Sequence, residues 1–316
     1  MTLRIGIVGS GRMASVHVAA WRRAGQTVSL VFSPSPESRR RFSEAHGLPS
    51  VSSLEEVAAG CDVIDVCTPT DTHCRIVVAA ATLGRHVVVE KPIALTVEEA
   101  ERMSEACRLA GVALLVAHVA RFDPRIRLVH ERAAAGELGN LAVMRFQRLS
   151  GPTTGSAADW LGDDARSGGV ILDLMIHDID LACWLAGPVT HVDAATVGSG
   201  ISQHAIAALS HASGTITSLE ASWSRPIGDF RTFFEIVGDR ATAQSVDPGV
   251  RSAGITLPFD GADAVYAAQF LHFALVLEGR AEPVVTEAEA TVALAVALAA
   301  TRSARTARPV LVGGAS

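Results

Sequence analysis

The run Gly9-Ser10-Gly11-Arg12-Met13-Ala14 is the feature that most narrows what this chain can fold into. It follows an apolar stretch, Leu3-Arg4-Ile5-Gly6-Ile7-Val8, that reads as a buried strand. It opens a helix-patterned segment, Arg12 to Ala24, which Gly25 closes. A G-x-G-x-x-A loop at a strand-to-helix junction is built to receive phosphate. The first glycine permits the tight turn, and the second lets the backbone approach a pyrophosphate. Ala14 keeps helix and sheet close, and the helix N-terminus offers free N–H groups and the positive end of its dipole. Gly9, Gly11, Arg12 and Met13 are therefore candidate dinucleotide-binding residues.

The rest of the first half repeats this alternation. Strand-like runs at Val28 to Phe32, Asp62 to Cys67, His86 to Val89 and Val112 to Ala117 are separated by helical patterns at Ser38 to His46, Thr72 to Leu83 and Glu98 to Ala110. Strands spaced by helices imply βαβ units, a parallel sheet and, with right-handed crossovers, a doubly wound arrangement. The character changes after about residue 120. A helix (Pro124 to Ala135), a strand (Leu141 to Leu149), a Gly/Ser/Thr-rich loop (Ser150 to Ala157) and a helix (Leu172 to Leu185) lead into successive strands between Val189 and Val246, then a closing helix, Glu287 to Ala304. Strands without intervening helices indicate an antiparallel or mixed sheet. The expected fold class is α/β. Residues 1–120 are read as a dinucleotide-binding domain and 121–316 as an α+β substrate-binding and oligomerisation domain, with the last helix able to pack back on the first.

Composition removes several function classes. Of 316 residues, 27 are Lys or Arg and 33 Asp or Glu, a net charge of -6, so the basic excess of a nucleic-acid binder is missing. The apolar stretch Ala290 to Ala300 is shorter than the ~20 residues that span a bilayer. The N-terminus runs straight into the first strand, leaving no room for a signal peptide. Five cysteines (Cys61, Cys67, Cys74, Cys107, Cys183), with no Cys-x-x-Cys pair, argue against a disulfide scaffold or a zinc site and fit a reducing cytoplasm. No metal, membrane or nucleic-acid partner is expected.

Three further features carry chemistry. The second strand ends in Ser33, where an NAD site normally places a carboxylate for the ribose 2′-hydroxyl. Its absence removes repulsion against a 2′-phosphate, and Ser33, Ser35, Arg39 or Arg40 are available to bind one, so NADP is favoured over NAD. Glu90-Lys91-Pro92 puts a charged pair at the carboxyl end of a buried strand, where open α/β sheets bind ligands. Asp173, His177 and Asp180, at i, i+4 and i+7, share one face of a helix flanked by Leu174, Ile176 and Ile179. A histidine oriented by a carboxylate is a good proton acceptor near neutral pH.

These elements together resemble the Gfo/Idh/MocA oxidoreductase family of glucose–fructose oxidoreductase and inositol dehydrogenase. The resemblance rests on the glycine loop, Cys67-Thr68-Pro69 with His73, Glu90-Lys91-Pro92, Arg121-Phe122-Asp123-Pro124, Gly136-Glu137-Leu138-Gly139, and Ser167-Gly168-Gly169 through Asp173, His177 and Asp180. It implies a Rossmann domain followed by an α+β domain whose open, mainly antiparallel sheet forms a homodimer or homotetramer interface. It implies that Lys91 contacts the reacting hydroxyl and the nicotinamide region, that His177 takes the proton as hydride leaves, and that Asp173 assists. It adds Thr68, Pro69, His73 and Glu90 to the cofactor contacts. Two positions depart from the common pattern: Thr70 stands where Asn is frequent, and Ser33 where Asp is frequent. The expected activity is hydride transfer between NADP or NAD and a secondary hydroxyl or ketone of a sugar, inositol or related polyol. Lys91, Arg121, Trp160, Asp173 and His177 are the candidate substrate contacts, with Asp159 and His118 as further polar groups. The rival readings are reduction of an imine or non-sugar carbonyl, and a non-catalytic dinucleotide sensor.

Overall fold

The structure is a computed structural model that describes residues 2–246, 249–252, 255–257 and 261–313. It divides into two compact units, 1–119 with 261–291, and 120–260 with 292–316.

In the first unit the strands are β1 (Arg4–Val8), β2 (Thr27–Phe32), β3 (Val63–Val66), β4 (His86–Val89) and β5 (Leu114–Val116). They form one parallel sheet in the order β2-β1-β3-β4-β5. The intervening helices are α1 (Arg12–Arg23), α2 (Pro36–His46), α3 (Leu54–Gly60), α4 (His73–Thr82) and α5 (Val97–Ala110). Their ends follow local chemistry. Ser35 caps α2 by accepting from the Ser38 amide, with Pro36 in the first turn and Gly47 at φ 63° closing it. Thr96 caps α5 through the Glu99 amide, and the Glu99 carboxylate reaches back to the Leu95 amide.

The second unit begins with α6 (Pro124–Ala134), capped by Asp123, then β6 (Leu141–Leu149), α7 (Ser156–Leu161) and α8 (Asp164–Ser167). The segment expected as one helix over Leu172–Leu185 is a π-turn, Ile171–Met175, running into α9 (Ile176–Ala186). β7 (Val189–Val197), β8 (His204–His211), β9 (Ile216–Ser222), β10 (Arg231–Gly238), β11 (Thr242–Val246), β12 (Gly249–Ser252) and β13 (Ile255–Leu257) follow. After α10 (Ala262–Leu277) and α11 (Glu287–Thr306) comes β14 (Val310–Leu311). Among the described residues the sheet has nine strands, β13-β12-β11-β10-β6-β9-β8-β7-β14, antiparallel except for β6 beside β9. The π-turn and α9 pack on β6 and β9, whose inward side chains include Met144, Phe146, Leu219 and Ala221. The outward positions of β8 (Ile206, Ala208 and Ser210) are exposed.

α10 was not anticipated, and residues 261–291 cluster with the first unit rather than the second. Phe270 and Phe273 of α10 join Ile5, Ile7, Trp21, Val31, Val88 and Leu115 in one apolar core. Phe270 meets Trp21 edge-on at 4.8 Å between ring centroids. No helix among the described residues is long and apolar enough to cross a membrane.

Candidate active site

The two glycines of the loop have different reasons to be glycine. Gly9 has φ 121°, and a Cβ there would stand 2.4 Å from the Cys67 carbonyl oxygen. Its amide donates to the Phe32 carbonyl at 2.8 Å, closing the turn against β2. Gly11 is the N-cap of α1 in ordinary extended backbone (φ -87°, ψ -173°), and a Cβ there would meet nothing within 4 Å. No side chain caps α1, and its first turn holds no acidic residue. An open cradle thus lies over uncapped N–H groups, the shape and charge a pyrophosphate requires. Arg12 is exposed and Met13 half-buried beside it.

Ser33 follows β2 and is buried. Its hydroxyl accepts a 3.0 Å bond from the Ser10 hydroxyl, which ties the end of β2 to the loop. The three-arginine run resolves into separate roles. Arg40 and Arg41 pair with Glu44 and Glu37 of their own helix, whereas Arg39 donates to the Ser33 carbonyl at 2.9 Å. Arg39 is the member of the run that stands at the strand end. Ser35 is spent on capping α2.

Thr68 and Pro69 follow β3, half-buried, with the Thr72 hydroxyl 2.7 Å from the Thr68 hydroxyl and donating to the Pro69 carbonyl at 2.8 Å. His73 is fully buried. Its Nε2 lies 2.9 Å from the Thr68 carbonyl and its Nδ1 3.0 Å from the Pro92 carbonyl. Both ring nitrogens are engaged by main chain, so His73 staples the loops after β3 and β4 rather than offering an open contact. Burial, opposed by these carbonyls, holds its pKa below the usual imidazole value. Glu90 also turns inward: it is buried, with Oε1 2.9 Å from His17 Nε2 and Oε2 accepting from the Lys91 amide at 2.9 Å. Lys91 itself is half-buried, and its bond to Pro92 is cis. His118 is fully buried.

In the second unit, Gly168 and Gly169 have φ 76° and 72°, and a Cβ on either would collide with Leu172 or Gln203. The Gln203 side chain accepts from the Val170 amide at 2.9 Å and donates to Asp164 at 2.7 Å, holding the entry to the π-turn. Of residues 169–182, only Asp173 and His177 are not buried. Asp173 lies in the π-turn and His177 in the first turn of α9; single π-turns inside helices recur at functional sites. Asp180, expected on the same face, is fully buried and receives a bidentate pair from Arg121, Nε to Oδ2 at 2.9 Å and Nη2 to Oδ1 at 2.7 Å. The Arg121 side chain is 1% exposed and lies over the Trp184 ring at 5.2 Å. Arg121, expected as a substrate contact, thus has two of its guanidinium nitrogens bound to a buried carboxylate. Trp160, in α7, is half-buried and Asp159 exposed. Sequence reading passed over His17, Asp65 and Gln203, which carry much of the buried polar network; the signal for the first was a histidine one turn beyond Ala14 in an otherwise apolar helix face.

The fold and these sites define an NAD-binding Rossmann oxidoreductase. Residues 3–118 match the oxidoreductase family with an NAD-binding Rossmann fold, and residues 126–244 match the GFO/IDH/MocA C-terminal domain. The chain belongs to the Gfo/Idh/MocA oxidoreductase family. It is 31% identical over 276 residues to scyllo-inositol 2-dehydrogenase (NAD(+)) of Bacillus subtilis (strain 168), covering 79% of this chain and 78% of that protein. It is 28% identical over 326 residues to 1,5-anhydro-D-fructose reductase of Ensifer adhaerens, covering 96% of each. In fold it is similar to the WlbA dehydrogenase from Bordetella pertussis in complex with NADH and UDP-GlcNAcA, with TM-score 0.89, 24% identity and 99% of each chain covered.

Proposed function

We propose that this chain passes hydride between a nicotinamide dinucleotide and a secondary hydroxyl or ketone of a sugar, inositol or related polyol. The observation that carries this reading is the pair Asp173 and His177, the two half-buried side chains in an otherwise buried stretch. Removing hydride from carbon requires taking a proton from oxygen. His177 takes that proton, and Asp173 orients it and binds a neighbouring hydroxyl. Lys91 supplies a cation for the developing alkoxide. Trp160 offers an aromatic face to a sugar ring.

The dinucleotide, when bound, supplies the hydride acceptor. Gly9 to Met13 would hold its pyrophosphate, with Thr68 and Pro69 toward the nicotinamide side; His73 and Glu90 act behind these positions. NADP is the favoured form: Ser33 carries no charge, and Arg39 brings a guanidinium to the same strand end. A second copy of the chain covers the open sheet face, where Val197, Ile206 and Ile216 are 68%, 53% and 53% exposed on β7, β8 and β9. A dimer or tetramer follows. Five cysteines present as thiols support a reducing, cytoplasmic setting.

The test is a screen of inositols and sugars with NADP and NAD, then kinetics on variants. His177→Ala should lower kcat by about 10²–10⁴-fold, the usual worth of general acid–base catalysis. Asp173→Asn should be milder, because the base remains. Cofactor affinity should hold, since the glycine loop belongs to the other unit. Near wild-type kcat in His177→Ala would return this face to a purely structural role.

A further inference from the structure

His17 lies in α1, one turn beyond the glycine loop, and is fully buried. Its Nδ1 is 3.0 Å from Asp65 Oδ1 on β3, and its Nε2 is 2.9 Å from Glu90 Oε1 at the end of β4. Asp65 also accepts from Trp21 Nε1 at 2.8 Å, and the Cys67 Sγ lies 3.1 Å from His17 Nδ1 and 3.5 Å from Asp65 Oδ1. Phe270 closes the ring edge-on at 4.6 Å. Glu90 spends its other oxygen on the Lys91 amide. A neutral imidazole donates one proton, whereas both nitrogens of His17 face carboxyl groups.

We propose that His17 is an imidazolium clamp between Asp65 and Glu90 and that it positions Lys91 by fixing the Glu90 carboxylate that holds the Lys91 amide. The clamp joins the helix behind the glycine loop to the strand end that carries the lysine. The proposal rests on reading Lys91 as the catalytic lysine; His17 is a positioning residue.

The proton between Nε2 and Oε1 has two possible homes, His17 or Glu90. Burial alone favours the neutral pair. Against it stand the Asp65 carboxylate on the opposite nitrogen, the Lys91 amide on Glu90 and the neighbouring Lys91 ammonium. Burial is outweighed in both: Asp65 and Cys67 raise the His17 pKa well above its ordinary value, and the His17 ring with Lys91 lowers that of Glu90. The groups facing the ring are Asp65, Cys67 and Glu90, with Trp21 and Phe270 as uncharged walls; burial pushes the Cys67 thiol far up, so it stays protonated.

Two variants separate clamp from filler. In Glu90→Gln the amide can donate to a neutral His17 Nε2 while its oxygen keeps the Lys91 amide, so every group retains a partner and the unit should fold. In His17→Asn the bridge is lost. The first measurement is the protonation of the His17 ring by two-bond ¹H–¹⁵N NMR. Wild type should keep both ring protons well past the pH near 6.5 where an ordinary imidazole deprotonates, and Glu90→Gln should titrate at lower pH. A wild-type His17 with one bare nitrogen at neutral pH would overturn the clamp. So would one zinc per purified chain, because His17, Asp65 and Cys67 bring ligand atoms within 4.8 Å of one another. The second measurement is kinetic. Both variants should lose kcat, by up to about 10²-fold for a lysine displaced by about 1 Å, with KM and melting temperature of Glu90→Gln little changed. An inactive Lys91→Ala beside a fully active Glu90→Gln and His17→Asn would overturn the positioning role and leave the lysine reading standing. An active Lys91→Ala would overturn the lysine reading and the positioning with it, and the NMR result would still decide the imidazolium.

Discussion

The glycine loop permits a paired prediction, because its two glycines are held by different things. Gly9→Ala forces a side chain into φ 121° and brings Cβ within 2.4 Å of the Cys67 carbonyl oxygen. The backbone strain costs about 1–3 kcal/mol, and the obstacle is main chain just past β3, which does not swing aside as a side chain would. At roughly 2–4 °C per kcal/mol for a domain of this size, melting should fall by roughly 2–12 °C. Gly11→Val is different. Its backbone is ordinary extended geometry, and nothing lies within 4 Å of its Cβ. Losing glycine as N-cap costs under about 1 kcal/mol. The valine instead occupies the space above the uncapped N–H groups of α1, which the pyrophosphate needs. Binding of NADP(H) or NAD(H) should weaken at least about tenfold, or ~1.4 kcal/mol. Thermal melting and fluorescence titration on the two variants read both effects. A Gly11→Val protein that binds cofactor like wild type would refute the assignment of the cradle. One that melts below Gly9→Ala would refute the reasoning about which glycine the fold itself requires.

Ser33→Asp should move the ratio of kcat/KM for NADP and NAD toward NAD, by repulsion of a 2′-phosphate and a new bond to a 2′-hydroxyl; an unchanged ratio would refute the account of that strand end. Arg121→Leu should destabilise the protein by about 3–5 kcal/mol, since it strands the buried Asp180 carboxylate; an intact melting temperature with a raised KM would instead make Arg121 a substrate contact. Light scattering at micromolar concentration should give a dimer or larger, and Ile206→Glu on the open sheet face should shift it toward monomer; a wild-type mass of one subunit rules that interface out.

Much of the first unit was legible because its physics is local. Buried parallel strands such as Ile5–Val8 and Val87–Val89 read as unbroken apolar runs, and Val63–Val66 as one interrupted only by Asp65. The helices between them are bracketed by caps, Ser35 and Gly47 around α2, Thr96 and Gly111 around α5. α10 escaped for the opposite reason. Its sequence, ADAVYAAQFLHFALVL, is apolar around most of its circumference, so it lacks the one-sided stripe that marks an amphipathic helix. Its role in the core with Trp21 joins residues some 250 positions apart in sequence.

The candidate site was legible as residue types and only partly as roles, and the reason is geometric. A straight α-helix over 172–185 puts Asp173, His177 and Asp180 on one face, but that spacing does not settle which of them the packing buries: His177 and Asp180 both lie in α9, three residues apart, and only Asp180 is buried. Asp173 and His177 are half-buried, while Asp180 is drawn inward by Arg121, a partner 59 residues away that no local pattern shows. Glu90 and Lys91 repeat the lesson at a smaller scale. Successive side chains at a strand end leave on opposite sides, so a charged dipeptide is divided: Glu90 goes in to His17, and Lys91 stays half-buried at the edge. A carboxylate and an ammonium that look like a surface ion pair in the sequence thus become a buried support and the group it supports. For that reason substitutions at Glu90 and Lys91 should part in their effects: Glu90→Gln removes the carboxylate that faces the His17 ring, whereas Lys91→Ala removes only a charge beyond it, so the first should move the titration of His17 further than the second.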